Sequence, residues 1–166
     1  MRIFDRLKMA ASIIIWGNSY RRAWEIIGRK RDTAFSMMDN SKNEEEISKS
    51  GREVAGRMRQ AMNIQPNMRV LDIGCGVGRI GKYLAPSCTE WVGVDISKSL
   101  LKIARERMKD IPNAKLVHIE NANLKLFADN SFDAIYAHIV FLHLDKEDLW
   151  EYILESKRVL KPSGEF

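Results

Sequence analysis

The sequence predicts an α/β fold, a parallel sheet with helices on both faces, and three observations predict it. Short apolar runs alternate with stretches of helical period along most of the chain. A glycine-rich turn, Gly74-Cys-Gly-Val-Gly78, directly follows one of these runs, and a lone carboxylate, Asp95, ends the next. At 166 residues and 45% hydrophobic composition, the chain is long enough for one domain with its own core and too short for two. The expected organisation is an N-terminal basic helical extension or cap over residues 1–45, followed by the sheet domain over 46–166.

Ile3, Leu7, Ala10 and Ile14 fall at helical spacing, with Arg2, Arg6 and Lys8 elsewhere on the wheel; Trp16, Tyr20 and Trp24 continue the spacing beyond Gly17. This segment reads as a structural cap packed on the domain, or as a helix lying on a membrane surface. Asp39–Glu46 has the polar composition of a loop, and Glu44–Glu46 suit a helix N-terminus. A helix from about Glu45 to Met62 carries Ile47, Val54, Met58 and Met62 on one side, and Gln65-Pro66-Asn67 ends it before a strand at Arg69–Ile73. Beyond the glycine turn, Ile80, Tyr83 and Leu84 mark a short helix that Pro86 stops, and Trp91–Asp95 is the second strand. Ser97 reads as an N-cap for a helix whose apolar face is Leu100, Leu101, Ile103, Ala104 and Met108. Lys115–Ile119 and Phe132–Tyr136 are the third and fourth strands, with His118 a packed or edge residue. Lys146–Leu160 is a long helix, and Lys161–Gly164 reads as a turn before a fifth strand.

The net charge of +5 is unevenly placed: residues 1–31 hold eight Lys/Arg against Asp5 and Glu25, and the rest of the chain is close to neutral. The basicity therefore belongs to the N-terminal segment. It argues for at most a weak contact with an acidic membrane surface, and no nucleic-acid partner is expected. Cys75 and Cys88 lie outside metal-ligand spacing, and Cys75 sits inside the glycine turn, so a reducing cytoplasm is expected. The longest apolar stretch, Ala10–Trp16, is far below the ~20 residues of a membrane span. No metal site is expected, because Asp145, Glu147 and Asp148 are accounted for by a helix start.

Glycines at 74, 76 and 78 let the backbone turn sharply and leave no Cβ to hold a ligand away, while the helix beyond them offers free N–H groups. Asp95, at the tip of the next parallel strand, is placed to accept hydrogen bonds from two ribose hydroxyls. Gly76-Val-Gly78-Arg-Ile-Gly81 also fits the dinucleotide pattern, which keeps an NAD(P)-linked oxidoreductase open as an alternative. Asp72 weighs against it: a carboxylate there repels a pyrophosphate and suits the ammonium of a methionine moiety.

Val70–Gly78 and Asp95, followed in order by Asn130-Ser-Phe-Asp-Ala-Ile135 and Arg158-Val-Leu-Lys-Pro-Ser-Gly164, resemble the class I S-adenosylmethionine-dependent methyltransferases, specifically their small-molecule branch, from about Gly51 to Phe166. The resemblance implies a Rossmann-like doubly wound sheet, S-adenosyl-L-methionine as cofactor, and a small-molecule acceptor of lipid, sugar or polyketide-like type. It implies that Gly74, Gly76 and Gly78 lie against the cofactor, that Asp95 holds the ribose and that Ile96 packs on adenine. Glu120-Asn121-Ala122 stands where the family usually has Gly-Asp-Ala, which puts Asn121 and Ala122 at the adenine amino group; an amide oxygen accepts the same bond without charge.

Methyl transfer is an in-line displacement, which positioning and exclusion of water largely accomplish. A hydroxyl acceptor gains from a general base at the carboxyl end of the fourth strand. His138, just past that strand, is the leading candidate; His143, matching a histidine common in the family, is the second. Asp133 is expected to be structural. The family's sheet usually has seven strands, so the chain is expected to contain the first four, the rest coming from a longer protein or from another chain, as in a dimer. A methyltransferase-like binding or regulatory module without turnover is the non-enzymatic alternative.

Overall fold

The computed structural model describes residues 20–166; the helix read over Ile3–Ile14 lies outside the described residues. Among the described residues, three helices precede the sheet: α1 (Tyr20–Ile27), α2 (Arg31–Asp39) and α3 (Glu44–Ala61). β1 (Arg69–Ile73), α4 (Gly81–Leu84), β2 (Glu90–Asp95), α5 (Lys98–Arg107), β3 (Ala114–His118), β4 (Phe132–Tyr136), α6 (Lys146–Val159) and β5 (Leu160–Glu165) follow. Helical capping is local: Asn43, Ser97 and Asp145 accept N–H bonds from Glu46, Leu100 and Asp148 at the starts of α3, α5 and α6. Among the described residues, no helix is long and apolar enough to cross a membrane.

The strands form one sheet in the order β3-β2-β1-β4-β5, and every pairing is parallel. β1 therefore lies in the middle, with chain crossovers on both sides. Period-two alternation sends Leu71 and Ile73 to one face, where they meet Val92, Val94, Ile135 and α6 through Tyr152 and Val159. Val70 goes to the other face, where α3, α4 and Leu101 of α5 cover it together with Trp91 and Tyr136.

Two expectations need correction. The fifth strand is present: β5 begins at Leu160 and pairs with β4, so the described residues hold five strands rather than the four expected. Lys161–Gly164 is part of that strand and not a turn before it; Pro162 cannot donate to a ladder, and the register slips between Phe132↔Leu160 and Ala134↔Glu165. α2 supplies a helix within the segment read as the helical extension, and α3 begins at Glu44. Ala34 and Phe35 of α2 are buried with Ile47, Val77, Leu100 and Ile103, so the described part of the N-terminal segment shares a core with the sheet domain.

Two glycines of α3 separate packing from propensity. A Cβ on Gly51 would run into the Arg79 carbonyl and the Tyr83 ring, whereas one on Gly56 meets nothing within 4 Å. Gly51→Ala is expected to destabilise by about 1–3 kcal/mol through overpacking. Gly56→Ala is expected to stabilise by about 0.5–1 kcal/mol through helix propensity. Urea denaturation of the two variants beside the wild type measures both signs.

Candidate cofactor and acceptor site

β1 ends beside β2, and the chain has to turn out of the sheet to begin α4. It does so with Gly74, Gly76 and Gly78 at φ 70°, 56° and 68°, the left-handed region. The N–H groups of Gly74 and Cys75 donate to the Val94 carbonyl at 2.8 and 3.0 Å. The Gly76 N–H donates to Asp95 Oδ2 at 2.8 Å, and the Ser97 N–H to Asp95 Oδ1 at 2.8 Å. Side chains close on the turn from above: a Cβ on Gly76 would collide with Met38 of α2, and one on Gly74 with Val140.

Two carboxyls flank the turn. Asp95 is 6% exposed, and burial lifts it to about 6 even though Ser97 and Gly76 donate to it. Asp72 is 3% exposed and lifted to about 8, again by burial, against the opposing hydrogen bond from Tyr136. The Tyr136 hydroxyl donates to Asp72 Oδ2 at 2.7 Å and accepts from Trp91 Nε1 at 3.0 Å, a buried relay across β2, β1 and β4.

Both carboxyls open onto a cavity whose empty space, mouth included, is about 880 Å³. Its floor is Asp72, Gly74, Cys75 and Gly76; Asp95, Ile96 and Leu100 form one end, and His138, Ile139, Val140, His143 and Tyr152 the far wall. The roof is Tyr20, Trp24, Met37 and Met38 from α1 and α2. α1 is tied across three loops. Glu25 accepts from Ser99 N–H at 3.2 Å, Ser99 Oγ at 2.6 Å and Ser97 Oγ at 3.0 Å. Arg21 donates to the Glu120 carbonyl at 2.7 Å, to Asn121 Oδ1 at 3.0 Å and to Asp148 Oδ2 at 2.6 Å; the Tyr20 hydroxyl also donates to Asp148.

Of the residues singled out in the sequence, Asp72, Gly74, Gly76, Asp95, Ile96, His138 and His143 line this one cavity. Gly78 faces Met108 and Ala104 instead. Asn121 is exposed, with its oxygen engaged by Arg21, and Ala122 is fully buried among apolar side chains. The His138 Nδ1 lies 3.1 Å from Arg79 Nη2, and burial, Arg79 and Arg57 lower its affinity for a proton. His143 stands edge-on to Trp24, with ring centroids 5.2 Å apart, and burial lowers its pKa. The sequence reading missed the Arg21, Glu25 and Arg79 contacts. Arg21 counted there only as part of a basic run, and nothing in local pattern pairs it with a residue 127 positions away.

Residues 70–164 match a family model described as a methyltransferase domain. Among curated relatives, phosphoethanolamine N-methyltransferase 1 of Arabidopsis thaliana is 32% identical over 71% of this chain and 24% of its own length. Demethylmenaquinone methyltransferase of Staphylococcus aureus is 35% identical over 65% of this chain and 45% of its own length. The chain thus spans between a quarter and a half of these relatives. The PH0226 protein of Pyrococcus horikoshii superposes with a TM-score of 0.64 at 31% identity, covering 74% of this chain and 57% of that one. Haemonchus contortus phosphoethanolamine N-methyltransferase 1, solved with phosphoethanolamine and S-adenosylhomocysteine, superposes with a TM-score of 0.73 over 87% of this chain and 30% of that one; at 21% identity it speaks for the fold.

Asp72 makes stability depend on pH. Its folded pKa stands above the ordinary 3.8, so the native state holds a proton that the unfolded state has released. The resulting stabilisation is complete below about pH 4 and is lost as pH rises through about 8. Asp72→Asn is expected to lack this decline and to exceed the wild type by about 1–3 kcal/mol at pH 9. Urea titrations from pH 5 to 9 check it, and parallel curves for the two proteins would refute it.

Proposed function

The chain belongs to the methyltransferase-domain family, and from that premise we propose that it is an S-adenosyl-L-methionine-dependent methyltransferase acting on a small-molecule acceptor. The observation that carries the proposal is the placement of Asp72 and Asp95 on either side of the glycine turn, both opening onto one cavity. The cofactor fits this donor set. Asp95 takes the ribose hydroxyls, Asp72 the methionine ammonium, and Ile96 and Leu100 the adenine face, with Asn121 and Ala122 at the adenine edge. Because Arg21 already donates to the Asn121 oxygen, recognition of the adenine amino group is weaker there than with a free carboxylate. A dinucleotide fits less well, since a pyrophosphate would lie against two buried acids.

When bound, S-adenosylmethionine supplies a methyl group on a sulfonium, open to in-line displacement. The chain's own residues then have two tasks. Tyr20, Trp24, Met37 and Met38 roof the cavity and keep water out, and the far wall from His138 to Tyr152 receives the acceptor. His143, kept neutral by burial, has a ring nitrogen able to take a proton from a hydroxyl acceptor. The mixed aromatic and apolar lining supports a small organic acceptor, and the relatives are named for phosphoethanolamine and demethylmenaquinone, small molecules rather than macromolecules. Lipid, sugar and polyketide-like acceptors remain within the proposal. Two buried free thiols support a reducing, cytoplasmic setting, and a weak contact with acidic lipid is assigned to the basic segment over residues 1–31.

Isothermal titration with S-adenosylmethionine and S-adenosylhomocysteine tests the reading. The wild type is expected to bind both. Asp95→Ala loses a charged acceptor for the ribose hydroxyls and is expected to bind about 10–100-fold more weakly, with Asp95→Asn between the two. Absence of wild-type binding, or equal affinity in Asp95→Ala, defeats the proposal.

A further inference from the structure

The two cavity histidines differ in one respect. We propose that Arg79 is a positioning residue that fixes His138 as its Nε2–H tautomer, so that His138 serves the cavity as a hydrogen-bond donor and not as a base. The tautomer follows from geometry. A guanidinium has only donors, so an Arg79 Nη2 at 3.1 Å from His138 Nδ1 requires the lone pair on Nδ1 and the ring proton on Nε2. Reversing the tautomer would set two N–H groups against each other in a part-buried contact.

Arg79 has little freedom to move away. Its side chain is 8% exposed, its Nη1 donates to Ser50 Oγ of α3 at 2.8 Å, and Asp39 at the end of α2 lies 3.6 Å away. The backbone beside His138 is equally committed: Ile139, a β-branched residue, sits at φ 63°, in the left-handed region that such side chains rarely adopt. The charged groups facing the ring are Arg79 after the glycine turn, Arg57 of α3 and Asp39 of α2; Asp72 of β1 faces Arg79. Two cations and burial oppose a charged imidazole, against a local backbone hydrogen bond and Asp39, and the opposing influences win. The ring is therefore held neutral, with its one proton directed away from Arg79. For the methyl transfer proposed above, and resting on that reading, the base role falls to His143, and His138 selects acceptors that present an oxygen to its N–H.

Long-range proton–nitrogen spectra of the uniformly ¹⁵N-labelled full chain test the assignment, with His138→Gln identifying the resonances. The wild type is expected to give the Nε2–H pattern for His138 at pH 8 and at pH 7. Arg79→Met is expected to show exchanging tautomers and a ring that takes up a proton at higher pH than in the wild type. An Nδ1–H pattern or an imidazolium at pH 7 in the wild type overturns the proposal, as does a His138 spectrum unaltered by Arg79→Met. If Arg79→Met fails to fold, Ser50→Ala loosens the same guanidinium: a partial shift toward exchanging tautomers supports the proposal, and no shift overturns it. S-adenosylhomocysteine added to the same samples separates the two readings, because loss of cofactor binding would remove the methyltransferase assignment and leave the tautomer standing.

Discussion

A parallel strand that ends in the middle of a sheet must leave over one of its neighbours, and the carboxyl end of this molecule is organised by how β1 does so. The turn from Gly74 to Gly78 crosses toward β2 with three left-handed residues, and its N–H groups spend their bonds on Val94 and Asp95 of that strand. This fixes the Asp95 carboxyl at the rim, leaves Asp72 on the floor, and opens the concave surface over which α1 and α2 can lie. With any other residue at 74 or 76, the strained φ and the collisions with Val140 and Met38 would push the roof away from the floor. The same short approach that suits a ligand also suits the cap.

The electrostatics follow from that enclosure. Asp72 and Asp95 line one cavity with Arg79, which is itself divided among Asp39, Ser50 and His138. Neither acid makes an ion pair among the described residues, so burial dominates both and each is held above the ordinary carboxylate range. Such a pair is costly in the folded state and is the arrangement expected where a ligand supplies the missing complement.

Much of the sheet domain is written locally. Apolar runs placed β1 to β4 within a residue or two, because each buried strand is a short hydrophobic stretch bounded by turn chemistry. Ser97 was legible as a cap because a cap is decided by three consecutive residues. β5 was not, since Pro162 and Gly164 are strand-breaking by propensity and only the partner edge of β4 overrides them. The site divides along the same line. The glycines and acids declare themselves in a nine-residue motif and one strand end. Arg79, Arg21 and Glu25 look like ordinary surface charges until the fold brings Ser50, Asn121 and Ser99 to them. The two histidines illustrate the difference: their positions past β4 were visible, but their protonation depends on a guanidinium from another element.

The ties made by α1 also bear on how the molecule is assembled. Tyr20 and Asp148 are 128 residues apart, and Glu25 and Ser99 are separated by 74. A ribosome releases α1 long before it releases any of the loops that α1 will bridge, and closing so long a segment carries an entropic cost that only a finished sheet rewards. The full set of ties made by α1 therefore closes only once the loop that carries Asp148 has been made, and until then the roof over the cavity floor is incomplete.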